Sequence, residues 1–254
     1  MPVLSIVVPA YNEEAFIGQV LQTILEVDTE KAGFTKEIIV VNDGSKDGTE
    51  VVVRRFPQVR LVNQVPNQGR GAALRRGVQE AKGDYIVFQD ADLEYFPGDY
   101  PAMLAVLQSG PAAVYGNRLA GVIREHGRGL FPGKHPQQSV APWAAALVVR
   151  AWTSLLVGHW TPDMFSGIKL YPAEPLKRLK LETSGFELDH EITVKLYRAG
   201  VKFKGAPIRY NPRSVEEGKK IKPRDGIIAL WTVLLYRVKP LSECFQPPLG
   251  KAAR

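Results

Sequence analysis

Short apolar runs rich in valine and isoleucine recur through the first half of the chain and alternate with stretches whose apolar residues fall at helical spacing. Short runs that end at turn-forming residues predict strands. The predicted strands are residues 4–8, 37–41, 59–63, 85–89 and 113–116. The predicted helices lie between them, at 17–25, 48–55, 70–81 and 100–109. This alternation predicts βαβ units and an α/β fold with a mainly parallel sheet that is covered on both faces.

The alternation breaks after residue 116. The segment 121–138 is rich in glycine, proline and arginine, and we expect it to be a long mobile loop. Beyond it the pattern predicts helices at 142–157, 187–199 and 225–238, and strands at 168–171 and 201–208. The sequence shows no internal repeat and no second core pattern. We therefore expect a single domain over residues 1–239 and a C-terminal tail over 240–254.

Composition narrows the classes of function. The chain has 254 residues, and the 45% that are hydrophobic suffice for a globular core. Its 33 Lys and Arg against 26 Asp and Glu give a formal charge of +7, so phosphates, anionic lipid or nucleic acid are plausible partners. A single cysteine, Cys244, excludes an intramolecular disulfide, and the four histidines lack the spacing of a zinc site. We expect a reduced, cytoplasmic protein.

The N-terminus and the longest apolar run bear on membranes. The first residues lack the basic, apolar and small-residue regions of a signal peptide. The longest apolar run, residues 140–149, ends at Arg150 and is far shorter than the roughly 20 residues that cross a bilayer. We therefore expect a chain that does not span a membrane but can lie on its surface.

Polar residues collect where three of the predicted strands end. They are residues 9–14 after the first strand, 42–45 after the second and 90–92 after the fourth. Ligands of parallel sheets bind outside the carboxyl ends of the strands. If these three strands are neighbours, their ends build one acidic site.

Asp90 and Asp92 directly follow a buried strand, and Glu94 lies two residues further on. Carboxylates presented together on a turn are hard oxygen ligands, which suit Mg²⁺ or Mn²⁺ bridged to substrate phosphates. Like charges so close together are costly without a cation. An isolated Asp-x-Asp is more often part of an acidic surface loop, but the strand context and the companion motifs favour a metal site here.

Two strand ends offer a pocket for a nucleoside. Asp43 can accept from ring N–H groups of a base or from a ribose hydroxyl, although Asn-Asp-Gly-Ser is equally typical of a turn. Pro9, Tyr11 and Glu13 can form the walls, with the tyrosine as a stacking face. The alternative for this segment is that Asn12 and Glu13 only begin a helix.

The glycine-rich run 67–71 is not a dinucleotide-binding loop. It does not follow the first strand, and Leu74 stands where the third glycine is required. The sequence also lacks the lysine motif of a P-loop. Neither of these phosphate-binding loops therefore explains the polar strand ends.

Five motifs occur in a fixed order along the first half of the chain. They are Pro9-Ala10-Tyr11-Asn12-Glu13, Asn42-Asp43-Gly44-Ser45, Asn67-x-Gly69-x-Gly71, Asp90-Ala91-Asp92-Leu93 and Tyr115-Gly116-Asn117-Arg118. In this order and spacing they resemble the family 2 glycosyltransferases of the GT-A fold. The segments 163–170, 188–191 and 213–220 resemble more narrowly the branch that makes polyprenyl-phosphate sugars, the dolichyl-phosphate mannosyltransferase and glucosyltransferase group. The resemblance covers roughly residues 3–239.

The resemblance implies a nucleotide-sugar-binding half, residues 1–118, and an acceptor-binding half, residues 119–239. Its nucleoside-binding positions are Pro9, Tyr11, Glu13, Val41 and Asp43. Its positions at the diphosphate and the Mg²⁺ or Mn²⁺ ion are Asp90, Ala91, Asp92 and Glu94, the last where many members have glutamine. Its positions for phosphate oxygens of donor or acceptor are Arg118, Arg213 and Lys219.

The implied reaction moves a hexose from a nucleotide sugar to a polyprenyl phosphate with inversion at the sugar carbon. Mannose from GDP-mannose is the first expectation and glucose from UDP-glucose the second. Asp92 with its metal and Arg118 would stabilise the departing nucleoside diphosphate. A phosphate acceptor needs no general base, because it is already ionised at neutral pH. A hydroxyl acceptor, the alternative, needs a base, and Asp189 and Glu191 are the available carboxylates.

Two helices of the second half carry tryptophans beside cations. Trp143 precedes Arg150 in the first, and Trp231 precedes Arg237 in the second. That pattern suits interfacial helices in contact with lipid, and the alternative is a pair of ordinary core helices. We expect an enzyme that associates peripherally with the inner face of the membrane.

A basic nucleic-acid-binding protein is the alternative outside enzymes, since the net charge alone permits it. It predicts steep salt dependence and indifference to metal. Carboxylates at the strand ends repel a phosphate backbone unless a cation is bound. Nucleic acid is therefore not expected as a partner.

Overall fold

A seven-stranded sheet forms the centre of the protein. The computed structural model describes residues 1–212 and 223–246. The strands are β1 (Val3–Ala10), β2 (Thr35–Asn42), β3 (Val59–Asn63), β4 (Tyr85–Phe88), β5 (Ala113–Asn117), β6 (Lys169–Pro172) and β7 (Phe203–Pro207). Their order is β3-β2-β1-β4-β6-β5-β7, and all neighbours are parallel except β6, which is antiparallel to β4 and β5. The predicted α/β class, mainly parallel sheet and seven strands are confirmed, each strand end to within about two residues.

Helices cover both faces of the sheet. They are α1 (Ile17–Glu26), α2 (Thr49–Val53), α3 (Arg70–Glu80), α4 (Tyr100–Ala105), α5 (Arg118–His126), α6 (Val140–Val157), α7 (Ala173–Lys177), α8 (Leu188–Arg198), α9 (Pro223–Val238) and α10 (Leu241–Cys244). Strand side chains alternate between the two faces, so Ile6 and Val8 of β1 pack with α1 while Val7 packs with α3. Two apolar cores, one on each face, hold the strand ends in register.

The segment 121–138 is not the continuous loop that its composition predicts. Arg118–His126 form α5, and the side chain of Asn117 caps the first turn. Gly121 lies within this helix because the helix packs closely on the chain that follows β7. A Cβ at this position would collide with the carbonyl oxygen of Ile208. The glycine therefore serves close packing, and the loop prediction is wrong for the first six residues of the segment.

The predicted tail begins at residue 240, and its first residues pack on the body of the protein. Leu241–Cys244 form α10, Cys244 is buried, and Phe245 bridges to Leu179. Residues 247–254 lie outside the described residues. The division of the chain at residue 239 stays a prediction.

Helices α6 and α9 pack side by side. Trp152 Nε1 donates to the carbonyl of Leu230 (3.2 Å), and Arg237 Nε donates to the carbonyl of Leu156 (2.6 Å). The most exposed apolar side chains of these two helices, together with Trp160 in the loop after α6, are called the exposed apolar surface; they are Val148, Leu155, Trp160, Ile227, Trp231 and Val238. Within residues 1–212 and 223–246, α6 is the one helix long and apolar enough to cross a membrane, and only 17% of it is buried. A single helix of this kind is weak evidence for a membrane span.

Candidate active site

One cavity of about 560 Å³ lies at the carboxyl ends of β1, β2 and β4. Because these strands are adjacent in the sheet, their polar ends meet there. The predicted site residues that line the cavity are Pro9, Tyr11, Glu13, Asp43, Asp90, Ala91, Asp92, Glu94, Arg118 and Asp189. The fold thus brings together side chains from the first strand end to the start of α8.

Three donors hold the buried carboxylate of Asp43. Oδ1 accepts from the side-chain amide of Gln64 (2.7 Å) and the backbone N–H of Gln68 (2.9 Å). Oδ2 accepts from the backbone N–H of Gly69 (2.8 Å), whose φ of +98° favours glycine. A carboxylate has about four lone-pair positions, so one position on Oδ2 remains at the cavity.

The loops after β1 and β2 fasten each other. Asn42 Oδ1 accepts from the backbone N–H of Ser45 (3.2 Å), which is the turn that the Asn-Asp-Gly-Ser motif predicts as its alternative. Ser45 Oγ in turn accepts from the backbone N–H of Asn12 (3.0 Å). Asn12 has a φ of +54°, and α1 begins only at Ile17, so Asn12 joins two loops and does not begin a helix. The turn and the cavity-facing Asp43 coexist in one motif.

Four charged side chains, two buried and two partly exposed, form a chain at the cavity, which we call the charge chain. Arg70 Nε donates to Asp90 Oδ1 (2.8 Å), and Arg70 Nη1 donates to Asp189 Oδ2 (3.0 Å). The other oxygen of Asp189 lies 3.0 Å from Lys169 Nζ. Acids and bases alternate along this chain, so each charge has an opposite neighbour.

Burial and these neighbours shift the pKa values within the charge chain. Burial raises the pKa of Asp90; Arg70 offsets this in part, and the nearby Asp92 raises the pKa further. Burial also raises the pKa of Asp189, but Lys169 and Arg70 outweigh it and hold that pKa below its usual value. Burial lowers the pKa of Lys169. Asp189 is therefore an ionised carboxylate that accepts a hydrogen bond from Arg70 at Oδ2 and has the Lys169 ammonium at ion-pair distance from Oδ1.

The donor set around Asp90 and Asp92 fits a divalent cation that shares its ligands with a substrate. Glu94 lines the same cavity. In the part of the chain that the structure describes, no three His, Cys, Asp or Glu side chains form a group that could hold a metal by themselves. Mg²⁺ and similar ions commonly take one or two carboxylates and complete their shell with phosphate oxygens and water. A cation would also relieve the repulsion that Asp92 exerts on Asp90.

Arg118 is fixed at the cavity wall by a bidentate ion pair. Its Nε and Nη2 lie 2.7 Å and 2.9 Å from the two carboxylate oxygens of Asp163. The ring of Tyr210 lies 5.0 Å from the guanidinium carbon. Burial works against the charge, but Asp163 outweighs it and raises the pKa of Arg118. The side chain is therefore a permanent, preoriented positive charge.

The opposite side of the cavity is apolar and belongs to α6. This apolar wall comprises Ala141, Pro142, Ala145, Ala146 and Val149. Their spacing of three and four residues places them on one face of the helix. The cavity therefore extends from charged strand ends to a helix that also carries part of the exposed apolar surface, since Val148 lies two turns beyond Ala141 on nearly the same side of α6.

Glu191, one of the two predicted bases, does not reach the cavity. It is completely buried, and its carboxylate accepts from the backbone N–H groups of Glu182 (2.9 Å) and Thr183 (2.9 Å). Lys195 Nζ, also buried, lies 2.5 Å from the same carboxylate. Two residues along an α-helix correspond to about 200°, so Glu191 and Asp189 point to opposite sides of α8. Glu191 holds a loop in place, which corrects its predicted role as a base.

Three other predicted site residues are not part of the described cavity. Side chains alternate between the two faces of the sheet along β2, and the side chain of Val41 packs in the core on the α3 face. Only backbone atoms of Val41 could therefore contact a ligand, and its assignment as a nucleoside-binding position stays a prediction. Arg213 and Lys219 lie outside the described residues, and their assignment to phosphate oxygens stays a prediction.

Three charged residues of the site were not predicted, although two of them carried a signal in the sequence. Arg70 lies in the glycine-rich run 67–71, which matters for its cation and not as a dinucleotide loop. Lys169 is a charged residue in an otherwise apolar strand, and a buried lysine needs a carboxylate partner. Asp163 is the partner of Arg118 but is distant in sequence, so no local pattern joins the pair.

The reversed strand within a parallel sheet and the carboxylates at the strand ends define a nucleotide-sugar transferase architecture, the GT-A fold. The chain belongs to glycosyl transferase family 2, whose family model matches residues 5–139. The match includes all five motifs of the first half. The predicted fold and family are thereby confirmed, and the chain is a glycosyltransferase.

The curated relatives include polyprenyl-phosphate sugar enzymes. The chain is 29% identical over 247 residues to a dolichyl-phosphate beta-glucosyltransferase of Trichomonas vaginalis, which covers 91% of this chain and 72% of the relative. It is 30% identical over 183 residues to the dodecaprenyl-phosphate galacturonate synthase of Rhizobium johnstonii, which covers 70% of this chain and 50% of the relative. The chain thus spans half the length of the second relative.

Among solved structures, the chain resembles glucosyl-3-phosphoglycerate synthase from Mycobacterium tuberculosis, crystallised with Mn²⁺, uridine diphosphate and phosphoglyceric acid. The TM-score is 0.68 at 22% identity, and the superposition covers 94% of this chain and 80% of the other. Structural similarity at this level shows a shared fold.

Proposed function

We propose that this chain is an inverting glycosyltransferase that moves a hexose from a nucleotide-diphosphate sugar to a polyprenyl phosphate at a membrane surface. The observation that carries the proposal is the single cavity that joins charged strand ends to the apolar wall of α6. A polar donor suits the first end, and a lipid-linked acceptor suits the second. Two relatives matched over most of this chain carry names that join a sugar to dolichyl or dodecaprenyl phosphate.

The state of Asp189 favours a phosphate acceptor over a hydroxyl acceptor. A hydroxyl needs a general base whose pKa lies near the working pH. Asp189 is the predicted base that reaches the cavity, but both of its oxygens are paired and its pKa is lowered. A phosphate monoester is largely ionised at neutral pH and can attack without a base. Asp189 then serves to hold Arg70 and Lys169.

The leaving group would be stabilised by charges that the chain places in advance. Asp90 and Asp92, with Glu94 beside them, would hold Mg²⁺ or Mn²⁺. When bound, such an ion neutralises negative charge that develops on the departing diphosphate. Arg118, locked by Asp163, supplies a second positive charge for phosphate oxygens. Charges fixed before the reaction need no rearrangement as the sugar carbon becomes cationic.

The hydrogen bonds of Asp43 favour uracil over guanine as the donor base. Guanine presents two adjacent N–H donors on its pairing edge, whereas uracil presents one N–H between two carbonyl oxygens. Asp43 has one acceptor position left, so uracil is satisfied and guanine keeps an unpaired donor. Asn67, which also lines the cavity, uses one amide N–H on the carbonyl of Asp43 (3.0 Å) and keeps a second for a base carbonyl. We therefore favour UDP-glucose over GDP-mannose, as the glucosyltransferase relative also suggests.

Calorimetric titration with UDP and with GDP, each in the presence of Mn²⁺, tests the base assignment. A buried unpaired donor costs about 1–3 kcal/mol, so UDP should bind about 10- to 100-fold more tightly. Gln64→Leu frees a second acceptor position on Asp43, and the preference for UDP should shrink. Gln79→Leu, an exposed glutamine of α3 outside the cavity, should leave the preference unchanged. Equal or tighter binding of GDP by the unmodified chain would contradict the assignment.

The exposed apolar surface supports action at a membrane. Ala141 of the cavity wall and Val148 of that surface lie two turns apart on nearly the same side of α6, so a lipid chain could pass between bilayer and cavity along one helix. The guanidinium carbon of Arg150 lies 4.7 Å from the centre of the Trp160 ring, and Arg237 lies in the last turn of α9. Tryptophans with flanking cations are typical of helices that lie in the interface. These features support peripheral association.

Transfer of radiolabelled sugar tests the whole proposal. UDP-glucose and GDP-mannose are each incubated with Mg²⁺ or Mn²⁺ and a polyprenyl phosphate, and label is counted in the organic phase. We expect labelled lipid with UDP-glucose and none with the Asp92→Asn variant. If the donor is only hydrolysed, the lipid acceptor is wrong while the donor site stands. Label that appears only on a hydroxyl acceptor would support the alternative reaction.

A further inference from the structure

Asp90, a proposed metal ligand, already has a cationic partner within the protein. Arg70 Nε lies 2.8 Å from Asp90 Oδ1, and the arginine side chain is only 13% exposed. Its position is fixed from several sides. Nη1 bonds to Asp189, the ring of Phe186 lies 5.7 Å from the guanidinium carbon, and the adjacent Gly69 is held by the Asp43 carboxylate.

The other end of the charge chain makes Arg70 more available to Asp90. Asp189 has a second cationic partner, because Lys169 Nζ lies 3.0 Å from its Oδ1 and is completely buried. The charge of Asp189 is therefore compensated without Arg70. A divalent cation that binds Asp90 would meet the guanidinium charge a few ångströms away. At the effective dielectric constant of a protein site, repulsion at that range is several times the thermal energy.

We propose that Arg70 competes with the divalent cation for Asp90 and keeps the metal site weak until a nucleoside diphosphate arrives. The inference rests on the proposed function, since it takes Asp90 and Asp92 as the metal ligands. The diphosphate adds negative charge and oxygen ligands, which offset the guanidinium. Metal and nucleotide therefore bind cooperatively, and by linkage each raises the affinity of the other by the same factor. Arg70 is thus a positioning residue that makes metal binding conditional on the donor.

Removing the charge of Arg70 should strengthen the binding of the divalent cation in the absence of a nucleotide. Binding of Mn²⁺ is measured by electron paramagnetic resonance, with and without UDP, for the full chain and for Arg70→Gln. We expect the variant to bind Mn²⁺ alone at least about 10-fold more tightly than the unmodified chain, and to gain less from UDP. Arg76→Gln is the matched control, because this arginine of α3 is 45% exposed and pairs with Glu80. It should change neither value.

Arg70→Lys is the control for loss of the fold in Arg70→Gln, because the lysine keeps a positive charge beside Asp90. Its affinity for Mn²⁺ alone should stay within about 3-fold of the unmodified chain, while Arg70→Gln differs by more. Circular dichroism with and without Mn²⁺ shows whether each variant is folded. A glutamine variant that folds only with Mn²⁺ would support the proposal, because the ion then replaces the guanidinium.

Unchanged or weaker binding of Mn²⁺ alone by a folded Arg70→Gln variant would overturn the inference and leave the metal site intact. A chain that binds no Mn²⁺ even with UDP would remove the metal site itself, and with it both proposals. The two failures are therefore distinguishable in the same titrations.

Discussion

The two ends of the cavity are built from opposite kinds of contact. At the strand ends, Asp43 is held by three hydrogen bonds and Asp90 and Asp189 by ion pairs of 2.8 to 3.0 Å. At α6, small apolar side chains form the wall, and the helix is secured by packing on α9. Directional bonds discriminate between ligands, whereas apolar area accepts any chain of suitable width. If the proposed function holds, this difference predicts strict selection of the sugar donor and tolerant selection of the lipid acceptor.

The same contrast occurs within one turn of α8. Asp189 points to the cavity and belongs to the charge chain, while Glu191 points away and bonds a loop and Lys195. That loop matters to the polar end, because the carbonyl of Ser184 accepts from the backbone N–H of Gly71 (2.7 Å) at the start of α3. The buried pair therefore supports the helix that carries Arg70.

The largest effect should come from breaking that support. Glu191→Gln leaves the buried Lys195 with only the more distant carboxylate of Glu182 (3.7 Å), and we expect a loss of about 3–5 kcal/mol in the free energy of unfolding. Urea unfolding measures it. Glu174→Gln, which removes a 75% exposed partner of Arg178, should cost less than about 1 kcal/mol. A Glu191→Gln variant that has normal stability but no sugar-transfer activity would show that Glu191 takes part in the reaction.

The next effect concerns the metal ligands at the polar end. Asp92→Asn removes one of the two aspartates proposed to hold the cation, and transfer should fall by about 100- to 1000-fold. Initial rates of label transfer measure the effect. Asp28→Asn, which changes an aspartate about half exposed on the surface, should retain full activity. Retention of activity by Asp92→Asn would show that the polar end works without this ligand.

His190, which follows Asp189 on α8 but does not line the cavity, tests how completely the interior beside the polar end excludes water. It is buried, and its Nδ1 has no hydrogen-bond partner among the described residues. Burial lowers the pKa of His190 to about 4, although Asp189 acts in the opposite direction. The unfolded chain, with a histidine pKa near 6.5, therefore binds more protons between about pH 6.5 and pH 4. Stability should fall as the pH is lowered through this window, by about 3 kcal/mol in total.

Urea unfolding between pH 7.5 and pH 4.5 measures that loss for the unmodified chain and for His190→Phe. The variant should lack this part of the pH dependence. His126→Gln, at an exposed position, should keep it. Equal slopes for the unmodified chain and His190→Phe would mean that water reaches the imidazole.

The smallest effect belongs to the apolar end. Trp231 is 65% exposed on α9, and Trp231→Asp should weaken binding to anionic vesicles about 10-fold in a flotation assay. Val51→Asp changes a 60% exposed apolar residue of α2, outside the exposed apolar surface, and should have no effect. Equal flotation of Trp231→Asp and the unmodified chain would contradict a lipid-facing role for this surface.

The spacing of apolar residues and the positions of turn-forming residues were sufficient to predict the seven strands and the longer helices. They did not reveal that β6 is antiparallel, because its sequence reads as a buried strand in either direction. They also misread α5, since Gly121 resembles a loop residue until its contact with Ile208 is known. Long-range packing, and not local propensity, decided both features.

The candidate site shows a similar division. Residues that follow strands, such as Asp43 and Asp90, could be located because the carboxyl ends of parallel strands share one edge. Assigning both Asp189 and Glu191 to the site was avoidable, because residues two apart on a helix cannot share a face. The sequence could not identify Arg70 as a site residue, since its role depends on contacts with carboxylates 20 and 119 residues away.

The reversed strand β6 has a consequence for how the molecule can diversify. Because β6 runs against its neighbours, its first residue, Lys169, reaches the strand-end edge, and residues 158–168 join it to α6. The apolar wall and Lys169 therefore lie within one uninterrupted stretch, residues 141–169, whereas Asp43 and Asp90 come from earlier in the chain. Recombination that exchanges this stretch as a cassette would replace the wall facing the acceptor in a single genetic event. The ends of β1, β2 and β4, which are proposed to face the donor, would be inherited unchanged.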